Sequence, residues 1–538
     1  MWHNALKTHY GPALDGKKEK PQGKKLLSEE NSGSVNVSPA LSPNGKYVIY
    51  LSEKDLFNMD LFLADANTGK VLNRVTSLGQ SGDLDYMNVM ESSGGWSPNS
   101  KDFVFVGIKK GRNVLVIKDA DTGKTLNTIT VSNLEAFSNP VFHPDGKEIV
   151  VIGLKEGQVD LYSINIRSKK AIQITNDIYS EAMPSFSSDG SKLVFCYDKA
   201  SVDNGRNDGR YTFDIAEMDY PAGTIKIYDF FRGADNLNPV FDYQDNLYFV
   251  SERDGMRNMY KYDRSSGAVY QMTDLLTGIS GISSSSPMIS ASTKKDRVLY
   301  THFYNGKYSV YSATTEQLLN KQVEDIHAID QTMGTLPVTG LNKKDIVGNS
   351  FKNSDTDYRQ TEPNTKNLDY TPHFKLDYVG GGGGIGVGAN NNSFRNATGL
   401  QGGVGMLFSD LLGNNQLYSQ LSLNGEIIDV GGVFSYLNRS NQLAWGVGLS
   451  HVPLITGYQN YEQSSVKDQA GNVIPAIKST TNLIRIFDES LNLFAHYPFS
   501  TTLRLEGGLA GTFRSFRWDE YNDYYVGDQF SGYQLVAS

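Results

Sequence analysis

The sequence predicts an all-β chain: a six-bladed β-propeller followed by an antiparallel, incomplete β-barrel. Three observations carry this prediction. A unit built on Ser-Pro-Asp/Asn-Gly-Lys recurs six times, each time in register with two apolar strands. After Tyr370 lysine almost vanishes and glycine is enriched. In that second part apolar and small or charged residues alternate strictly, the period of a strand with two unlike faces.

A chain of 538 residues is too long for one core and implies two or three domains. The 53 glycines and 31 tyrosines favour β structure. A net charge of −9 gives no general attraction for nucleic acid, so no nucleic-acid partner is expected. The single cysteine, Cys196, lies beside Leu193, Phe195 and Tyr197 in an apolar alternating run, which excludes an intrachain disulfide and predicts a buried structural thiol. Met1 to Lys7 lacks the apolar core of a signal peptide, and no apolar run is long enough for a transmembrane helix. Contact with a membrane would therefore be made by a barrel.

The first repeat reads Pro39-Ala-Leu-Ser42-Pro43-Asn44-Gly45-Lys46, a strand from Tyr47 to Ser52, then Asp60-Leu61-Phe62 and a Thr68-Gly69-Lys70 turn. The second keeps Trp96-Ser97-Pro98-Asn99, Phe103 to Ile108 and Thr122-Gly123-Lys124. The third is Pro140-Val-Phe-His143-Pro144-Asp145-Gly146-Lys147 with Asp160-Leu161-Tyr162, and the fourth Pro184-Ser-Phe-Ser187-Ser188-Asp189-Gly190 with Lys192 to Tyr197. The fifth and sixth are worn to Pro239-Val240-Phe241 and Pro287-Met288-Ile289 with their following strands. Pro followed by Asp/Asn-Gly presets the dihedrals of a tight hairpin. A small antiparallel sheet cannot bury both faces alone, so the blades must stack, and a ring completes the stack. Lys25-Leu26-Leu27-Ser28 holds the offset of a blade's last strand ahead of repeat one, and is expected to latch the sixth blade near Val298 to Tyr311.

The boundaries expected are residues 1–24 for the tail of a preceding domain and a linker, 25–333 for the propeller, 334–370 for a polar linker, and 371–538 for the barrel segment. In the last, Leu443, Trp445, Val447 and Leu449 oppose Ala444, Gly446, Gly448 and Ser450, while Leu503, Leu505, Leu509 and Phe513 oppose Arg504, Glu506, Ala510, Thr512 and Arg514. Strands of roughly ten residues joined by short turns at Gly413-Asn414-Asn415, Asn438 to Asn441 and Pro498 to Ser500 form hairpins, with seven or eight strands in all. In a soluble barrel the apolar face fills the interior and in an outer-membrane barrel it meets lipid; tyrosines near strand ends (Tyr370, Tyr378, Tyr418, Tyr436, Tyr458, Tyr497) fit the aromatic rims of the latter.

The repeat over about residues 25–315 resembles the WD40-like repeat of TolB-type propellers, which also stands in front of the peptidase domain in relatives of prolyl oligopeptidase. Tyr370 to Tyr378, Gly399-Leu-Gln-Gly-Gly403 and Phe408 to Leu417 resemble the opening of the surface-antigen barrel in Bacteroidetes-like envelope proteins. In those proteins a gluzincin-type metallopeptidase domain comes first, and Trp2 to Tyr10 resembles only its last helix. No His-Glu-x-x-His occurs among the eight histidines, and the end, Tyr533 to Ser538, lacks the terminal aromatic of such barrels, so the sequence reads as a fragment cut at both ends.

No catalytic residues, cofactor or metal site are expected. There is no Gly-x-Ser-x-Gly elbow, and Ser280 in Gly278-Ile-Ser-Gly281 reads as a loop serine. The Asp119-Ala-Asp121-Thr-Gly123 and Asp203 to Gly209 turns lack the twelve-residue calcium loop with its terminal Glu. His143 reads as a structural replacement for a turn serine, and Gly380 to Gly384 as a flexible barrel entrance. Propellers bind partners at the channel mouth, formed by the loops before each innermost strand. Here those loops carry Tyr86, Met87 and Asn88; Glu135, Ala136 and Phe137; Tyr179 and Glu181; Asp235 and Asn236, a mixture suited to a protein or peptide ligand. The function expected is a non-enzymatic binding or scaffold module with a periplasmic propeller, anchored by a barrel surrounded by outer-membrane lipid. Two alternatives are the non-catalytic C-terminal part of a cell-envelope metallopeptidase and an outer-membrane assembly or export factor.

Overall fold

The computed structural model describes residues 2–17, 20–55, 58–77, 84–88, 90, 93–204, 211–221, 223–335, 369–381, 386–390, 397–425, 429–468, 470–499, 503–526 and 534–535. The expected linker therefore lies largely outside the described residues, as do residues 205–210 of the Asp203 to Gly209 turn, residues 382–384 of the glycine run, and most of the last six positions. The chain divides into two compact units, Met1–Thr361 and Glu362–Ser538.

The first unit is a ring of six antiparallel sheets. Blade one pairs Asn36–Leu41, Tyr47–Ser52, Asp60–Asp65 and Val71–Arg74; blade two pairs Tyr86–Met87 and Gly95–Trp96 with Asp102–Lys109, then Arg112–Asp119 and Thr125–Thr130. Blade three is Ala136–Phe142, Glu148–Lys155, Gln158–Asn165 and Ala171–Gln173, and blade four Glu181–Phe186, Lys192–Tyr197, Asp214–Asp219 and Ile225–Ile227. Blade five is Asn236–Phe241, Leu247–Ser251, Asn258–Tyr262 and Val269–Gln271, with Lys321–Gln322 added at its edge. Blade six is Ile289–Ala291, Val298–Tyr304 and Lys307–Ala313, completed by the N-terminal strand Lys24–Leu27, whose Lys25 faces Tyr311 and Leu27 faces Val310.

The repeated turn works by side-chain capture of backbone N–H groups. Ser42 Oγ accepts the Tyr47 N–H at 3.0 Å and donates to Asn44 Oδ1 at 2.8 Å, and Asn44 Oδ1 also takes the Lys46 N–H. Ser97 with Asn99, and Ser187 with Asp189, repeat this arrangement. In blade three His143 stands in for the serine, its Nδ1 accepting the Asp145 N–H at 3.2 Å, which is the structural role expected of it. Asp119 Oδ1 accepts from the Thr122 hydroxyl and the Thr122 N–H, so the Asp119 to Gly123 segment is a β-turn held by its own carboxylate, whose pKa these bonds lower.

Six apolar clusters seal the ring, one at each junction between successive blades. The junction of blades six and one contains Leu26, Leu27, Leu299 and Val310 against Leu41, Val48, Tyr50 and Phe62. Cys196 is fully buried in the cluster reaching blades five and six, where burial drives its thiol pKa up. Ahead of Lys24, the chain forms an α-helix from Trp2 to Leu14 and then pins itself to blade five, where Lys17 Nζ meets Asp274 at 2.6 Å and Asp254 at 3.2 Å.

The second unit is one antiparallel sheet in which Lys375–Gly380 and Gly386–Asn390 both pair with Ala397–Ser409, and from there each strand pairs with its sequence neighbour, through Asn415–Gly425, Val430–Asn438, Ala444–Lys467, Val473–Pro498 and Arg504–Val526 to Gln534–Leu535. Among the described residues its two edges are not paired with each other, so the expected closure into a barrel is not shown. Three strands run to 24, 26 and 23 residues, well beyond the ten expected. The backbone ladder continues through polar stretches such as Gln459 to Lys467, because pairing needs N–H and C=O groups and not apolar side chains.

The burial of this sheet is inverted relative to a water-soluble core. Trp445 and Leu449 are 45% and 55% exposed, whereas Ala444, Gly446 and Gly448 on the opposite face are buried. Register extends the apolar face sideways: Val447 faces Leu493, which faces Leu509, and Leu449 faces Leu491. The other face carries Gly448, Asn492 and Ala510, then Ser450, Ser490 and Thr512, with Ser490 Oγ 3.0 Å from Thr512 Oγ1. Past His451 the phase changes. Leu454, Phe516 and Trp518 are exposed on the second face, and Arg485 is buried on the first between Asp429 and Asp519. The uniform apolar belt thus covers residues 443–450 of its central strand, about 26 Å at 3.3 Å per residue.

Candidate functional site

The channel mouth is defined by one level of the ladders. Tyr86 pairs with Ile108, Ala136 with Leu154, Glu181 with Tyr197 and Asn236 with Ser251, so the start of each inner strand stands opposite the end of the second strand in four consecutive blades. A bulge two residues on, where Asn139, Met183 and Asn238 adopt left-handed backbone just before Pro140, Pro184 and Pro239, breaks each ladder and re-aims this first turn of the strand. The same bulge occurs at Ser38 in blade one.

The mouth residues singled out from the sequence divide into surface and interior. Tyr86 is 51% exposed and Asn88 half-buried, with Asn88 Oδ1 accepting the Met90 N–H at 3.2 Å. Met90 O in turn accepts from the hydroxyls of Ser283 and Ser286, so the loop entering blade two reaches past blade one to the chain leading into blade six. Glu135 is exposed, its carboxylate accepting the Glu156 N–H at 3.1 Å. Tyr179 is half-buried. Its hydroxyl donates to Asp203 at 2.7 Å and accepts from Lys199 at 2.6 Å, while that ammonium also sits 4.0 Å from the ring centroid. Asp235 braces a loop by accepting the Phe213 N–H at 3.0 Å, and burial raises its pKa.

Phe137, Glu181 and Asn236 are buried, not displayed. Phe137 belongs to the cluster between blades two and three. The Asn236 amide donates to Phe230 O at 3.0 Å and to Ala234 O at 3.2 Å, a brace inside blade five. The reason is shared: the inner strand already begins at or beside these positions, so side chains that read as loop from the sequence point into packed structure.

Glu181 is brought together with two residues that sequence reasoning did not single out. One carboxylate oxygen each from Asp160, Asp177 and Glu181 lies within 4.8 Å of the others. Glu181 is 2% exposed and Asp160 1%. Asp177 is the best supplied, receiving the Tyr197 hydroxyl at 2.7 Å and the Tyr179 N–H at 2.8 Å, and Asp160 Oδ2 receives Gln173 Nε2 at 3.0 Å. Both oxygens of Glu181 and Oδ1 of Asp160 are buried without a hydrogen-bond partner. The hydroxyl nearby, Thr175, accepts the Leu161 N–H at 2.8 Å and has a single proton for two carboxyls. Burial, reinforced by the neighbouring Asp177 and Asp160 carboxylates, pushes Glu181 up to about 9, and burial also raises Asp160.

A signal for this cluster existed in the repeats. Register places Arg74 of blade one, Gln173 of blade three and Gln271 of blade five at one position, opposite Phe62, Tyr162 and Tyr260. At the matching strand start stand Asp60, Asp160 and Asn258, and in all three blades a threonine hydroxyl (Thr76, Thr175, Thr273) accepts the next backbone N–H. Only alignment of repeat against repeat reveals that Asp160 has kept its charge where the arginine is gone.

Among known proteins, residues 84–204 match the family model for the TolB beta propeller domain. The uncharacterized protein Atu1656 of Agrobacterium fabrum (strain C58 / ATCC 33970) is 24% identical over 235 residues, covering 37% of this chain and 78% of that protein. The structure of a putative TolB from Agrobacterium tumefaciens is 20% identical and covers 37% of this chain and 67% of that one, with a TM-score of 0.30. The crystal structure of TolB from Acinetobacter baumannii is 18% identical and covers 55% of this chain and 65% of that one, with a TM-score of 0.38. The first unit is a six-bladed propeller, and residues 84–204 of it match the TolB beta propeller family.

Proposed function

We propose that this chain is a non-enzymatic envelope protein: a propeller that docks a protein or peptide at its channel mouth, held at an outer membrane by a sheet that forms part of a β-barrel. The observation that carries the reading is the inverted burial of residues 443–450, where Leu443, Trp445 and Leu449 are exposed and Ala444, Gly446 and Gly448 are covered. Water penalises such an arrangement by about 25 cal/mol for each Å² of apolar surface, and lipid does not.

Chain direction supports a periplasmic propeller. The first strand of the sheet enters at Lys375, opposite Ser409, beside the short turn Asp410 to Asn414. The turn from Arg439 to Leu443 and the paired strand ends Pro498 and Arg504 lie at that same end, since Asn438 pairs with Asn415 and Ala444 with His496. Short turns face the periplasm in outer-membrane barrels. A segment arriving at that end comes from the periplasmic side, and the long Ala444–Lys467 and Val473–Pro498 hairpin extends beyond the belt on the other.

At the mouth, the exposed Tyr86, Met90 and Ile178 with the carboxylate of Glu135 offer the aromatic, apolar and acidic contacts that a polypeptide ligand uses. The reading is tested with a photo-crosslinking phenylalanine analogue placed at Tyr86 or at Tyr243 in cells. Tyr243 is 40% exposed and lies in the turn that ends the inner strand of blade five, the opposite end of the ring. A discrete protein adduct from position 86 and none from position 243 is expected. Equal adducts from both, or none from either, would remove the docking function from the mouth.

A further inference from the structure

We propose that Asp160, Asp177 and Glu181 form a binding site for a hard divalent cation, Ca2+, between blades three and four. One position is filled differently in three blades of the same ring. In blade one the buried Asp60 is neutralised by Arg74 Nη2 at 2.6 Å and takes the Thr76 hydroxyl at 2.9 Å. In blade five the acid is replaced by Asn258, which takes the Thr273 hydroxyl at 3.1 Å, and the arginine by Gln271. Each solution leaves the site without net charge. Blade three does neither: Asp160 remains an acid, its counterpart is the neutral Gln173, and Asp177 and Glu181 bring two further carboxyls to the same point.

Among the described residues no lysine, arginine or histidine forms an ion pair with any of the three. Carboxylates this deeply buried without a cation are costly to hold ionised. The unpartnered oxygens of Glu181 and Asp160 belong to side chains almost wholly removed from solvent, and one oxygen of each converges with Asp177. Donor chemistry selects the ion. All ligands are oxygen, with neither imidazole nor thiolate, which favours Mg2+, Ca2+ or Mn2+ over zinc or copper. Calcium accepts oxygens at about 2.3–2.6 Å, so ligands across its sphere stand about 4.6–5.2 Å apart, and the 4.8 Å limit of this cluster accommodates them. A bound ion would also fix the segment Thr175 to Glu181, which carries the exposed Ile178 and the half-buried Tyr179 at the mouth.

The inference goes beyond the docking function and is tested without a partner. The full chain, purified in detergent and stripped with EDTA, is titrated with CaCl2 by calorimetry. One site per chain is expected, with affinity at least 100-fold weaker in both Glu181→Gln and Asp160→Asn and unchanged in Asp121→Asn, which alters a turn outside the cluster. Both cluster substitutions keep side-chain volume while removing a carboxyl from a buried cluster that holds no cation in EDTA, so the variants are expected to melt in EDTA no lower than the parent, and only the parent should gain melting temperature on adding CaCl2. Absence of Ca2+ binding by the parent, or equal binding by the parent and both cluster variants, would overturn the proposal and leave the cluster holding a proton instead of a metal.

Discussion

A chain lacking residues 1–30 is expected to lose about 10 °C of propeller melting temperature. The deletion removes the outer strand of blade six, Lys24–Leu27, and leaves its partner Lys307–Ala313 as an unpaired edge. Leu26 and Leu27 are 1% and 0% exposed, and burying a leucine side chain stabilises by about 1.5–3 kcal/mol. The strand is also tied laterally. Tyr300 donates its hydroxyl to Gln22 O, and Lys17 bridges Asp254 and Asp274 of blade five. A loss of about 4 kcal/mol, at roughly 2–4 °C per kcal/mol for domains of 150–250 residues, gives the stated shift. Scanning calorimetry of the deleted and intact chains reads it directly, and coincident propeller transitions would show that the latch contributes nothing.

On the proposed outer-membrane reading, arginine in place of Val447 is expected to destabilise the sheet by about 2–4 kcal/mol, the cost of a cation on a lipid-facing surface near the bilayer midplane. Val447 stands at the middle of the belt, between Trp445 and Leu449 and opposite Leu493. Gly448→Ser should be mild, because a Cβ at Gly448 would meet its nearest neighbour, Asn492 Cβ, at an ordinary 3.7 Å on the polar face. Urea unfolding of both variants from lipid bilayers measures the contrast. Equal destabilisation by the two changes would show that the two faces are not chemically distinct.

The propeller was legible because each blade announces itself through a turn whose side chains capture backbone N–H groups, and because Leu26 and Leu27 stand ahead of repeat one at the spacing of a last strand. Blades five and six, whose turns had worn down, remained readable through Pro239 and Pro287, which keep the position of Pro39 ahead of the inner-strand apolar residues. Of the carboxylate cluster only Asp160 left a trace, in the alignment of repeat against repeat; its meeting with Asp177 and Glu181 was not legible, since the three sit on one strand, one loop and the next blade's first strand, and only the ring brings them within reach of each other. Glu181, Phe137 and Asn236 read as loop because nothing local marks where an inner strand begins. In the second unit the two faces were plain from alternation at 443–450, but strand length was not, because the ladder outruns the apolar pattern that betrays it.

The central claim, that residues 443–450 face lipid on one side, is tested most directly by single cysteines at positions 448 and 449 of the full chain in native membranes. Cys196 is fully buried and does not compete for reagent. Leu449→Cys should react with a lipid-phase maleimide and resist a membrane-impermeant, water-soluble one, while Gly448→Cys should escape the lipid-phase reagent. Lipid-phase labelling at 448 but not at 449, or release of the protein into the soluble fraction without detergent, would contradict the claim.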